Sequence, residues 1–127
     1  MLDSQHGDRP DIKDARVVLP GGAGLVGQNL VVRLKARGYQ HITVLDKHRA
    51  NLAALATLHP DVSVEHVDLC RPGDWQQYIR DSDVLVMLQA QIGGLNPEDF
   101  ENNNVLATQL ILEAIDSERP PYMVHIS

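Results

Sequence analysis

The chain has 127 residues, 43% of them hydrophobic but only 4% aromatic, which suits one globular domain with an aliphatic core. A formal charge of -6 argues against a nucleic-acid partner or an anionic membrane, both of which favour a basic face. The single Cys70 excludes an intrachain disulfide and a cysteine-held zinc, and no apolar run approaches the roughly 20 residues of a bilayer span.

Residues 1–13, "MLDSQHGDRPDIK", read as a polar flexible leader without the apolar core of a secretory signal, so a cytoplasmic setting is expected. Residues 14–127 read as one domain. "ARVVL" predicts a first strand, followed by the turn "GGAGLVG". Leu25, Val26, Leu30, Val31 and Leu34 then fall at helical spacing. Arg33, Lys35 and Arg37 suit the negative end of that helix, and Gly38 stops it. "HITVL" predicts a second strand ending in Asp46, and Arg49 to Leu58 a second helix closed by Pro60. "VSVEHV" predicts a third strand running to Asp68 and Leu69. "PGDWQQYI" predicts a short helix with Trp75, Tyr78 and Ile79 on one face. "DVLVML" is a fourth strand, with Asp81 and Asp83 before it as a turn. After "QAQIGGLN", Pro97 opens a long helix to about Glu118 with Asn96 as N-cap, and "YMVHIS" is a fifth strand.

Strands that alternate with helices and are apolar on both faces imply a parallel sheet covered on both sides. With right-handed crossovers this is an α/β, doubly wound, Rossmann-like sheet in the order 3-2-1-4-5, expected to be truncated after strand five. Strand five would then carry an unpaired apolar edge, so self-association into a homo-oligomer is expected.

The glycine turn puts four glycines into seven positions, 21 to 27, where a strand hands over to a helix. Gly22, Gly24 and Gly27 spell G-x-G-x-x-G, and Gly21, Gly24 and Gly27 spell G-x-x-G-x-x-G. Context turns a weak motif into a dinucleotide-binding one, because Asp46 lies about 20 residues beyond it at the end of strand two. The early glycines allow the tight turn, Gly24 lets backbone amides approach a pyrophosphate, and Gly27 lets the helix sit close on the sheet. The amides and positive dipole at the helix start then favour the phosphates. Asp46 reads either as the acceptor for ribose hydroxyls or as a solvated carboxylate at a strand end. In the first role it repels a 2′-phosphate and favours NAD over NADP, a preference that Lys47 and Arg49 soften.

These residues resemble the extended short-chain dehydrogenase/reductase family, the NAD-dependent sugar epimerases and dehydratases, from about Ala15 to Ser127. "GGAGLVG" is similar to that family's G-G-x-G-[FYL]-[IV]-G turn, which implies cofactor contacts at Gly21, Gly24, Leu25, Val26 and Gly27. "VDLCRP" resembles its strand-three ending and implies adenine contacts at Asp68 and Leu69. "DVLVMLQAQ" resembles D-V-V-F-H-L-A-A-Q and implies that Leu88, Gln89 and Ala90 lie along the cofactor. "NNNVLATQLILEA" resembles N-V-x-G-T-x-N-L-L-E-A and implies a cofactor contact within the pair Asn103 and Asn104. Pro20, Met87, Gln89 and Ala107 depart from the family's usual Thr, His, Ala and Gly.

Asn103 and Asn104 fall in the stripe formed by Phe100, Ala107, Leu110 and Ile111. Their amides need either loop carbonyls or a ligand. The resemblance implies an enzyme acting on a hydroxyl-bearing small molecule such as a nucleotide sugar. There a Tyr with a Lys four residues later, helped by a Ser or Thr, moves the hydroxyl proton. None of Tyr39, Tyr78 and Tyr122 has such a Lys, so the chain is expected to be a catalytically incomplete portion of a longer enzyme. The alternative is a non-catalytic dinucleotide sensor. Six histidines show no paired ligand spacing, Cys70 reads as a structural thiol, and Trp75 as a helix-to-sheet anchor.

Overall fold

The computed structural model describes residues 10–89 and 97–126, with side chains in the second stretch from Asn103 onward. A hydrogen-bonded turn, with the amides of Asp14 and Ala15 donating to the Asp11 carbonyl at 2.9 Å, leads into strand β1 (Arg16–Pro20). Then come α1 (Leu25–Ala36), β2 (His41–Asp46), α2 (Arg49–Leu58), β3 (Ser63–His66) and α3 (Gln76–Arg80). The last elements are β4 (Val84–Met87), α4 (Pro97–Ala114) and β5 (Tyr122–His125). All four pairings are parallel, and the order is β3-β2-β1-β4-β5. The doubly wound sheet read from the sequence is the fold.

Alternation along the strands splits the interior into two layers. Val17 and Leu19 of β1 join Ile42, Val44, Val86 and Leu88 under Val31 of α1 and Leu52 and Leu55 of α2. Val18, Leu45, Leu85 and Met87 face the other way, beneath Trp75, Ile79, Ala107, Leu110 and Ile111. Trp75 is the expected anchor, 5% exposed, and its indole N–H donates to the Arg71 carbonyl at 2.8 Å.

Four local expectations are corrected. The long helix ends at Ala114 rather than near Glu118. Asp116 turns the chain there, its carboxylate accepting from the Glu118 amide at 3.0 Å, and Pro120 and Pro121 cannot extend a helix. Only β1, β2 and β4 are largely buried. The edge strand β3 is half-buried to exposed, and Tyr122, Met123 and His125 of β5 are exposed, because each edge strand lacks one neighbour. Tyr78 leaves the face it was expected to share with Trp75 and Ile79. Its side chain is exposed and its hydroxyl donates to Glu65 Oε2 at 3.2 Å. Asp83 is more than a turn residue: Oδ2 accepts from the Arg16 amide and Oδ1 from Arg119 Nη2, each at 2.8 Å, tying β1, β4 and the approach to β5 together.

Candidate cofactor site

Order 3-2-1-4-5 reverses direction between β1 and β4, and the crevice beyond the carboxyl ends of those strands is where an open α/β sheet takes its ligand. The glycine turn occupies that position. The Gly21 amide donates to the Leu45 carbonyl at 2.7 Å, the Leu88 amide donates to the Pro20 carbonyl at 2.9 Å, and the turn is thereby stitched to β2 and β4. Pro20 lacks a donor, but as the last residue of β1 its carbonyl is what the sheet uses.

The glycines have different physical reasons. Gly21 has φ +77°, and a Cβ there would lie 2.5 Å from the Gln89 Cα. A Cβ on Gly27 would collide with the Gly22 carbonyl, so α1 can approach the turn only with glycine at that point. At Gly24 a Cβ would meet nothing within 4 Å among the described residues. Gly24 is the N-cap of α1 and has no side chain to cap it. The amides of Leu25, Val26 and Gly27 open the helix without an intrahelical acceptor, and no side chain caps them among the described residues. Leu25 is 77% and Val26 42% exposed, so these two do not belong to the core face on which the helical spacing placed them. An uncapped helix start beside empty space, with apolar side chains at its mouth, can hold an anion with an organic moiety.

Asp46 is buried, which removes the solvated-carboxylate alternative. Its Oδ2 accepts from the Ala23 amide at 3.0 Å, and its Oδ1 from the amides of Lys47 at 2.7 Å and His48 at 3.1 Å. The carboxylate thus clasps the end of β2 to the glycine turn. A carboxylate offers about four lone-pair sites, so one remains for a further donor. Gln28 buttresses the same turn, its Nε2 donating to the Ala23 carbonyl at 2.8 Å.

The remaining expected contacts are placed unevenly. Lys47 is exposed; Asp68 is exposed too and caps its own turn by accepting from the Cys70 amide at 2.9 Å. Leu69 is buried in the second core layer. Leu88 is 1% exposed and packs in the first layer, leaving only its backbone at the crevice. Gln89 is half-buried, with Nε2 donating to Thr108 Oγ1 at 3.1 Å. Asn103 turns out to solvent, contrary to its expected place in the apolar stripe, whereas Asn104 is half-buried with a buried Oδ1. Ala90, the N-cap Asn96 and the side chain of Phe100 lie outside the described residues. Burial, with Asp68 beside it, pushes the Cys70 thiol up, which keeps it protonated and poorly nucleophilic. Among the described residues no group of three or more His, Cys, Asp or Glu could hold a metal, and no helix is long and apolar enough to cross a membrane.

Ala23, Gln28 and Thr108 were not singled out by sequence. The roles of the first two depend on the register that sets Pro20 beside Leu45. Thr108 had a signal, since it follows Asn104 by one helical turn.

The model of the NAD dependent epimerase/dehydratase family matches residues 17–127. The chain belongs to that family. A dTDP-glucose 4,6-dehydratase of Mycolicibacterium smegmatis is 34% identical over 110 residues, covering 79% of this chain and 32% of its relative. A UDP-glucose 4-epimerase of Dictyostelium discoideum is 23% identical over 124 residues, covering 90% of this chain and 36% of its relative. The chain thus spans about a third of the length of these curated relatives. Among solved structures, a UDP-glucuronic acid 4-epimerase from Bacillus cereus in complex with NAD superposes with a TM-score of 0.69 at 26% identity, over 88% of this chain and 39% of that one. The non-catalytic sensor alternative finds no support in these relatives, all of them enzymes by description. The family's cofactor is the one expected from Asp46, and the open cradle at Gly24 beside unpaired amides fits it.

Proposed function

We propose that this chain is the NAD-binding portion of an epimerase, dehydratase or related short-chain oxidoreductase acting on a hydroxyl-bearing substrate such as a nucleotide sugar. The observation that carries the reading is the open space at Gly24, the one glycine of the turn at which a Cβ would meet nothing within 4 Å among the described residues. The amides of Leu25, Val26 and Gly27 hold the pyrophosphate, helped by the positive end of α1. Asp46, its carboxylate fixed by three backbone amides, offers its remaining lone pair to a ribose hydroxyl and repels a 2′-phosphate, so NAD is preferred to NADP. Asp68 and the turn at Leu69 flank the adenine side, and Lys47 lies at its rim. When bound, NAD supplies the hydride acceptor; the protein orients it and excludes water.

Binding alone does not accelerate a reaction unless it strengthens in the transition state. None of the three tyrosines has a lysine four residues on. The purified chain is therefore expected to bind NAD without forming NADH from a nucleotide sugar. A cytoplasmic setting belongs to the same proposal. The exposed Tyr122 and Met123 on the edge strand β5 support self-association, which light scattering at millimolar concentration would detect.

Calorimetric titration of NAD into the chain and into Gly24→Val tests the main reading. The valine Cβ would meet nothing within 4 Å among the described residues, so the expected result is lost binding with no more than the small drop in melting temperature that valine at an N-cap brings. Equal affinity in the two chains would overturn it.

A further inference from the structure

The residue that caps α2 is a histidine. His48 has extended backbone, and its Nδ1 accepts from the amide of Asn51, the third residue of the helix, at 3.2 Å. Serine, threonine, asparagine and aspartate are the residues ordinarily favoured at that position, each through a side-chain oxygen. An imidazole nitrogen takes the same bond only while it keeps a free lone pair. The ring must therefore be neutral, with its proton on Nε2.

His48 also reaches the other way. Its amide donates to Asp46 Oδ1 at 3.1 Å, beside the Lys47 amide at 2.7 Å. One residue thus joins the carboxylate at the end of β2 to the first turn of α2. That turn is anchored in turn by Leu52, 4% exposed, whose amide donates to the His48 carbonyl at 3.1 Å. A second histidine braces the same stretch. His66 on β3, which pairs with Asp46 in the sheet, donates from Nε2 to the Lys47 carbonyl at 3.1 Å. The charged ring carries that N–H as well as the neutral one, so this bond survives protonation. The bond at His48 does not. A charged ring there turns an N–H toward the Asn51 N–H and puts a cation at the positive end of α2. Histidine is the side chain whose charge changes between about pH 5 and 8.

We infer that His48 is a positioning residue for Asp46 and makes dinucleotide affinity pH-dependent. Neutral, its ring closes α2 onto the segment that holds the carboxylate; protonated, it releases that closure and NAD affinity falls. The inference rests on the ribose role of Asp46 and adds what holds that carboxylate in place. The charged and titratable groups on the elements that meet here are Asp46 of β2, Lys47, Arg49 of α2 and His66 of β3. All four are kept in His48→Asn, so a pH dependence that they caused would persist in that variant.

NAD is titrated calorimetrically from about pH 8 to about pH 5.5 into the wild-type chain, His48→Asn and His48→Ala. Wild-type affinity is expected to fall roughly three- to fivefold over this range. His48→Asn keeps a capping acceptor that does not titrate, and a flat profile is expected; His48→Ala should be flat at a weakened level. A flat wild-type profile overturns the inference. So does a fall that persists in His48→Asn, or wild-type affinity in His48→Ala at pH 8. Magnetic resonance on the wild-type chain reads the cap without any substitution. At pH 8 the His48 ring is expected as the Nε2–H tautomer, and the Asn51 amide shift should follow its protonation. The Nδ1–H tautomer, or an Asn51 shift indifferent to the ring, overturns the inference even if every variant fails to fold. A wild-type chain that binds no NAD at pH 8 overturns the dinucleotide reading itself, and this inference with it.

Discussion

The two sides of the switch point are finished to different degrees. On the β1–α1–β2 side the polar groups that shape the turn are committed: Asp46 accepts three amides, Gln28 braces Ala23, and Gly21 and Gly27 sit where a methyl group would strike backbone. On the β4–α4 side, Gln89 and Asn104 each keep a buried oxygen with no partner among the described residues. The first side is held by hydrogen bonds and close backbone packing within the fold itself. The second keeps two buried acceptors without a partner among the described residues. Polar groups that fix the shape of a turn must be satisfied within the fold, and the two sides differ in how far that holds.

The comparison breaks most severely at Gly27. Gly27→Ala drives a Cβ into the Gly22 carbonyl, which cannot move without dismantling the turn. A loss of about 3 kcal/mol in urea unfolding is expected, the upper range for forced overpacking. Gly24→Val, three residues earlier, should cost only the smaller penalty of valine at an N-cap, and a matched loss in both variants would mean that the turn does not distinguish packing glycines from an open one.

Asp46→Ala sharpens the contrast from the other direction. It strips an acceptor from three amides, one of them the buried Ala23 N–H, and about 2 kcal/mol of stability should go with it. The same substitution should narrow the gap between NAD and NADP affinities. A stability loss with an unchanged ratio would make Asp46 a clasp only and remove its ribose role.

Smallest is the effect at the far end of α1, where Lys35 Nζ donates to Asp61 Oδ1 at 2.8 Å and lies 3.1 Å from His59 Nδ1. The hydrogen bond from Lys35 holds the Asp61 carboxyl below its ordinary value of 3.8. A lowered carboxylate contributes stability above its unfolded value and loses it as pH falls through the folded one. Asp61→Asn should therefore cost a little stability at neutral pH and flatten the acid limb of the stability curve below about pH 4. Because the pair is exposed and remote from the crevice, NAD affinity should not change.

Much of this molecule was legible in one dimension. Apolar runs of the right length, glycine and proline punctuation, and the order in which they occur were enough for all nine elements among the described residues and for the sheet order, because a parallel sheet with right-handed crossovers leaves few alternatives. The G-x-x-G-x-x-G spacing with Asp46 beyond it was equally local, since a strand, a tight turn and a helix start are contiguous in sequence. Edge exposure was not legible, because whether β3 or β5 has a neighbour is a property of the sheet and not of the strand. Nor was the end of α4, where the Asp116 side chain competes with the helix for backbone amides. Helical spacing likewise put Leu25, Val26 and Asn103 on a core stripe, but each is exposed in the fold, where tertiary position overrides periodicity. The state of the polar atoms was decided only by the fold. Asp46 reaches Ala23 across 23 residues, and Gln89 reaches Thr108 across 19, because β1 lies between β2 and β4 with α4 packed above. Hydrogen bonding is short-ranged and directional, so a pattern of residue types can nominate such groups, while only their distances in space decide which are satisfied and which remain open.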